Sequence, residues 1–166
     1  MALPLPSYDQ VSELPRSVEM EVPTEFVDHN GHMNVRHYLS VQDDAGFSYF
    51  TGIGFGDAYI AREHRGFFDL EQHLRYYAEV LVGQTIAIHT RLLGRSAKVV
   101  HVMSFMINTT TERLANTFEL TMAHVDLDAR KTIAFEGPTA VALDRQIAAD
   151  AQVPWPAPVC GAMGPR

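Results

Sequence analysis

Along residues 17–27, Val18, Met20 and Val22 alternate with Glu19 and Glu21, the period of a strand with one buried face. A polar cluster at 28–34 breaks the alternation. Beyond it Tyr38, Val41, Ala45, Tyr49 and Ile53 recur every three or four residues, which predicts a helix over 35–53 with one apolar side. Asn34 suits its N-cap, and the glycines at 52, 54 and 56 mark its end. Residues 57–66 read as a polar connection with room for a short helical turn.

From there the pattern is that of strands. A run over 67–80 ends at the Val82-Gly83 turn, and 86–92 alternates Ile86, Ile88, Thr90 and Leu92 with Ala87, His89 and Arg91. Gly94-Arg95-Ser96 connects to a return strand at 98–109, a turn at 109–112 leads to 114–126, and Asp128-Ala129-Arg130 turns into a short piece at 132–135. Glu119 shares a face with Thr117, Thr121 and Ala123, opposite Phe118, Leu120 and Met122, and reads as a solvated or structural strand residue. A brief helix at 139–149 closes the pattern. Residues 1–16, with three prolines, read as an irregular lead-in; 17–150 form one domain; and 151–166 form a Pro/Gly-rich tail expected to be mobile.

One strand, one long helix and then a meander of antiparallel strands define an α+β class. A helix that leaves the first strand can bury its apolar side only against the sheet that the later strands build. The expected architecture is therefore a long central helix wrapped by a curved antiparallel sheet.

Composition narrows the function. A formal net charge of −7 over 166 residues argues against nucleic acid, whose phosphates call for a basic surface. Cys160 is the only cysteine, which excludes a disulfide framework and a zinc site built on several cysteines. Among the eight histidines no pair has the i, i+4 spacing of a helical metal site, since His32 and His37 are five apart; no metal is expected. The N-terminal residues lack the pattern of a signal peptide, and no run approaches the roughly 20 apolar residues of a membrane span. The chain reads as soluble and cytoplasmic.

The densest chemistry is Asp28-His29-Asn30-Gly31-His32-Met33-Asn34, between the first strand and the helix. Such residues can simply make a turn. This cluster has more ionisable groups than a turn needs, and it abuts a helix N-terminus, where unpaired N–H groups and the macrodipole favour negative charge. A thioester carbonyl placed there would develop its oxyanion against ready donors. A neighbouring carboxylate could attack it or activate water.

The run 27–34 followed by Tyr38 resembles the signature of thioesterases related to the 4-hydroxybenzoyl-CoA and YbgC-like acyl-CoA families. It is most similar to the betainyl-CoA thioesterase branch. The Asp-x-Asn-x-His spacing also resembles the catalytic stretch of plant acyl-carrier-protein thioesterases. The similarity extends over 18–127, including Glu71-Gln72-His73-Leu74-Arg75-Tyr76 and His124-Val125-Asp126.

The resemblance implies a hot-dog fold and hydrolysis of a CoA thioester by a homodimer or dimer of dimers. It implies no cofactor beyond the CoA of the substrate. By position, Asp28 would be nucleophile or general base, Asn30 would polarise the carbonyl or hold water, and His32 would orient Asp28 or shuttle a proton. Met33 and Asn34 would complete the oxyanion hole, with Tyr38 and His73 beside the substrate. Glu71, on the strand that crosses the helix, would assist hydrolysis, as a carboxylate there does in relatives, often in a subunit facing across the dimer interface.

Arg91, Arg95 and Lys98 flank one hairpin and could meet CoA phosphates. Phe67, Phe68, Tyr76, Tyr77, Tyr49 and Phe50 read mostly as core, with the option of a cation–π cage for a trimethylammonium acyl group. Glu79 is expected on the outer surface or in a turn. A hot-dog hydratase or dehydratase fits less well. The usual hydratase spacing, Asp-x-Asn-x-x-His, is one residue longer, and Gly31-His32 is followed by Met33-Asn34 rather than the Phe-Pro of dehydratases. A non-catalytic acyl-CoA-binding module would have no reason to keep Asp28.

Overall fold

The structure, a computed structural model, describes residues 4–165. Its strands are β1 (Arg16–Glu21), β2 (Arg65–Tyr76), β3 (Thr85–Arg95), β4 (Val99–Asn108), β5 (Arg113–Asp126) and β6 (Lys131–Thr132). Its helices are α1 (Tyr8–Ser12), α2 (Val35–Gly52), α3 (Asp57–Glu63) and α4 (Gly137–Asp150). The strands form one antiparallel sheet in the order β1-β3-β4-β5-β2, with β6 beside β5. The expected α+β arrangement is present: the sheet curls around α2.

The helix lies against the sheet's inner face because its apolar side has nowhere else to go. Tyr38, Val41 and Ala45 pack with Ile86, Ile88 and Met106 near its start. Phe50 packs with Leu92, Val102, Phe118 and Leu120 near its end. Asn34 caps it, its side-chain oxygen accepting the Arg36 N–H at 3.2 Å. Past its end Gly54 takes a left-handed φ of +98°, as glycine there readily can.

Several boundaries differ from the sequence reading. The first strand stops at Glu21, because Pro23 has no N–H to give a ladder, and a 3-10 turn at Thr24–Phe26 carries the chain to the polar cluster. Residues 57–66 supply a full helix, α3, before β2. β2 ends at Tyr76 rather than 80 and carries a bulge between Asp69 and Glu71. One extra residue reverses the alternation. Phe67 and Asp69 face inward before the bulge and Leu74 after it, so Glu71 and His73 face outward.

The largest differences are at the chain ends, neither of which lies outside the fold. Val11 and Leu14 from the lead-in and Trp155 from the tail pack on Ala87, Met103, Phe105 and Ile107, covering the sheet's outer face. Ser7 and Gln10 close a reciprocal capping box at the start of α1. Trp155 meets Phe105 edge to face at 5.4 Å, and the Arg91 guanidinium stacks over its ring at 4.7 Å. With that cover in place Glu119, read as either a solvated or a structural strand residue, is only 1% exposed. Among the described residues no helix is long and apolar enough to cross a membrane.

Candidate active site

The polar cluster forms a closed knot at the start of α2. Gly31 N–H donates to the Asp28 carbonyl at 2.9 Å, and Asp28 N–H to the His32 carbonyl at 3.1 Å. Gly31 turns with φ +83°, where a side chain would be strained. An isolated bridge between Val27 and Met33 closes the loop. Its base is tied down on both sides, Met33 N–H donating to Val80 and Asn34 N–H to Phe26 (both 2.8 Å). The Phe26 ring stacks on His37 of the first helical turn at 4.0 Å.

Within this frame both oxygens of the Asp28 carboxylate are held. Oδ1 accepts the Asn30 backbone N–H at 2.9 Å, and Oδ2 accepts the Asn34 side-chain amide at 2.8 Å. The Asn30 and Asn34 bonds, helped by the nearby imidazoles of His32 and His29, hold the carboxyl below the usual carboxylate range. Asn34 thus does two things with one side chain: its oxygen caps α2 and its nitrogen orients Asp28.

Two expected roles shift accordingly. The hydrogen bond of the His32 ring goes to the Met33 carbonyl, 3.3 Å from Nδ1, so His32 acts on Asp28 through its charge rather than through that bond. Asn30 reaches Asp28 through its backbone, and as a residue it is exposed.

Beside the helix start lies an open groove of about 370 Å³. The knot lines it with His32 and Met33, α2 with Val35 and Tyr38, and the end of β2 and the residues after it with Tyr76, Tyr77 and Glu79. Tyr38 and Tyr76 meet edge to face at 5.1 Å, and burial pushes the Tyr38 phenol up to about 12. The sequence reading assigned Tyr76 and Tyr77 to the core; Tyr76 is 47% exposed, and Phe68 still more so. Position alone could not reveal the groove, because its aromatic wall comes from a strand some 40 residues away in sequence.

A second cavity of about 350 Å³ lies further along α2, between Asp43, Phe47 and Phe50 of the helix and Phe67, Asp69 and Phe118 of the sheet. Gln42, Thr90 and Ser104 line its polar part. The buried Gln42 amide donates to Asn116 at 2.8 Å and accepts from the Ser104 hydroxyl at 2.6 Å, a network that no local motif announces. Burial pushes the Asp69 carboxyl up, with Asp43 adding to the effect.

The structure separates the other candidates from the knot. Glu71 and His73 lie on the outer face, Glu71 in a shallow depression with Val99 and Thr121. Arg91 is committed inside the fold, donating to the carbonyls of Trp155 at 2.9 Å and Asp150 at 3.1 Å. Arg95 forms a two-pronged pair with Asp144, both bonds 2.7 Å. Of the three basic residues expected to meet phosphate, Lys98 is the one left exposed.

A curled sheet around one helix with a carboxylate at the helix start defines the hot-dog class. The chain belongs to the Thioesterase-like superfamily, which matches residues 22–159. It is 36% identical over 126 residues to an L-carnitine dehydrogenase/betainyl-CoA thioesterase of Agrobacterium fabrum, covering 76% of this chain and 26% of that protein. It is 27% identical over 146 residues to a betainyl-CoA thioesterase of Pseudomonas aeruginosa, covering 88% of this chain and 92% of that one. The chain spans about a quarter of the length of the first curated relatives it matches. Among solved structures it is similar to a hypothetical protein of Staphylococcus aureus in complex with CoA, with a TM-score of 0.80 at 20% identity over 91% of this chain and 96% of that one. A putative thioesterase of Pseudomonas putida gives 0.73 at 22% identity over 98% of both chains.

Proposed function

We propose that this chain hydrolyses an acyl-CoA thioester, and that the acyl group is short and cationic, of the betainyl kind. The observation that carries the reading is the Asp28 carboxylate, kept ionised with both oxygens pinned, at the N-terminus of the long helix and beside an open groove. As general base, Asp28 takes a proton from water while the oxygen attacks the thioester carbon. The tetrahedral oxyanion forms beside the start of α2, where the helix dipole favours negative charge; the Met33 and Asn34 N–H groups expected to hold it already have acceptors, as do those of Arg36 and His37. Collapse breaks the C–S bond, and the CoA thiolate recovers the proton. As nucleophile, Asp28 would form an anhydride that water then cleaves; the same pinned carboxylate serves either route. The chemistry draws on no cofactor beyond the CoA of the substrate.

The groove supports the acyl assignment. In a trimethylammonium acyl group the charge lies within a few ångströms of the reacting carbonyl, so its binding groups must adjoin the knot. Tyr38, Tyr76 and Tyr77 offer π faces there and Glu79 a carboxylate, which suits a quaternary cation. The second cavity begins about 10 Å along the helix from Val35, at Gln42, beyond the reach of so short a group. Two copies are proposed to pair through β2, an edge of the sheet that exposes Phe68 and Leu70 (64% and 53%).

The test is thiol release over a panel of short, branched, aromatic and trimethylammonium acyl-CoAs. Turnover is expected to be highest on the trimethylammonium ester, and Tyr76→Ala should raise its KM more than that of a neutral ester of equal size. Silence across the panel with tight acyl-CoA binding would replace the enzyme by a binding module, and hydration of an enoyl-CoA would replace it by a hydratase.

A further inference from the structure

The outer face gathers metal-binding side chains that are far apart in sequence. His73 of β2 stands directly opposite Glu119 of β5, and His101 of β4 is diagonal to it, opposite Thr121. The tail then brings Cys160 over the same spot, its N–H donating to Glu119 Oε2 at 2.7 Å. Glu119 Oε1 lies 2.9 Å from His101 Nε2, and Oε2 lies 3.9 Å from His73 Nδ1. The ligand atoms of His73, Glu119 and Cys160 all lie within 4.8 Å of one another.

The charge balance gives this cluster its meaning. A buried carboxylate is tolerated when a partner offsets its charge. Among the described residues the ion-pair partners of Glu119 are two histidines, each charged only when protonated. Its neighbours are thus two imidazoles and a thiol, which are soft or borderline metal ligands, rather than a lysine or arginine.

We propose that His73, Glu119 and Cys160 bind a divalent cation of the zinc class, with solvent as fourth ligand, and that His101 orients Glu119 from behind. Zinc takes a thiolate at about 2.3 Å, and an imidazole nitrogen or carboxylate oxygen at about 2.0–2.2 Å, in a tetrahedron. The three groups need close on their common centre by only about an ångström. His73 sits on the sheet edge with its side chain 42% exposed, which leaves room for that turn. The Glu119–His101 bond is the kind of outer contact that fixes a metal-bound carboxylate. Binding releases the thiol proton and clips the tail to β2 and β5. The site is structural, since it lies across the sheet from α2 and touches no group of the proposed reaction.

Full-length protein stripped with chelator, then titrated with Zn²⁺ against a chromophoric competitor, should take up one ion per chain. Substitution with Co²⁺ should give an intense near-ultraviolet thiolate-to-cobalt band together with tetrahedral visible bands. Cys160→Ser should abolish the thiolate band, His73→Ala should weaken binding, and His101→Gln should weaken it about 10–100-fold. Cys160 and His73 are both partly exposed, so circular dichroism should confirm that these variants fold. Stoichiometric uptake that Cys160→Ser and His73→Ala leave unchanged would overturn the site, as would no uptake or a cobalt spectrum without the thiolate band.

Discussion

The two faces of the sheet are covered by different means. The inner face is covered by α2, which follows β1 directly and carries the knot at its start. The outer face is covered by the two ends of the chain, α1 with Leu14 on one side and the segment around Trp155 on the other. The inner cover brings chemistry with it: Asp28, Asn34 and the groove all lie at its N-terminal end. The outer cover brings Arg91, Trp155, Glu119 and Cys160 together and is a matter of architecture. Damage to the inner face should therefore appear in turnover, and damage to the outer face in stability.

The largest expected effect is on the inner side. Asp28→Asn should lower kcat on the preferred acyl-CoA about 10²–10⁴-fold with little change in melting temperature. Near-normal turnover would remove Asp28 from the reaction. On the outer side, Trp155→Ala should destabilise the fold by about 3 kcal/mol in denaturant titrations, leaving kcat per folded molecule unchanged. A comparable loss of kcat would merge the two faces into one functional unit.

Asn34→Asp sharpens the division at a finer scale. It keeps an oxygen to cap α2 but exchanges the donor to Asp28 for a second negative charge. Stability should change by less than about 1 kcal/mol. The acid limb of the kcat/KM profile should move up in pH, since the bond that lowers the Asp28 carboxyl is gone. In the parent protein that limb should lie below the ordinary aspartate value of about 3.9. The linkage has the same sign: the ionised Asp28 stabilises the native state above its unfolded value, and that contribution fades as pH falls through the lower native one. An unmoved limb in the variant would show that another group sets it.

The smallest effect concerns Arg95. Its pair with Asp144 is partly exposed, so Arg95→Ala should shift stability by under about 1 kcal/mol and leave the KM for acyl-CoA unchanged. A raised KM would return Arg95 to the phosphate role that its hairpin position suggested.

What the sequence disclosed follows the range of the physics involved. The helix over 35–53, its Asn34 cap and the alternation in β3 to β5 are local, and they emerged within a residue or a few. The knot was legible because its parts are contiguous. Glu71 and His73 share a face, as residues two apart must, but which face was not legible, because a single bulge at β2 reverses the alternation and nothing in the residue types declares it. The tail was misread because prolines and glycines usually mark mobility, whereas Trp155 finds a partner in Arg91, 64 residues earlier. Glu119 was assigned to the correct side of its strand, and only the cover over that side was missing.

Asn34 has one more consequence, in time rather than in space. Its oxygen holds the Arg36 amide and its nitrogen holds Asp28, so a brief fraying of the first helical turn also frees Oδ2 of the carboxylate, leaving Oδ1 on the Asn30 N–H. On the proposed mechanism, opening of the helix end and loosening of the general base become a single local event. Hydrogen exchange at the Arg36 amide would then report how often Asp28 loses this tether while the rest of the fold stays closed.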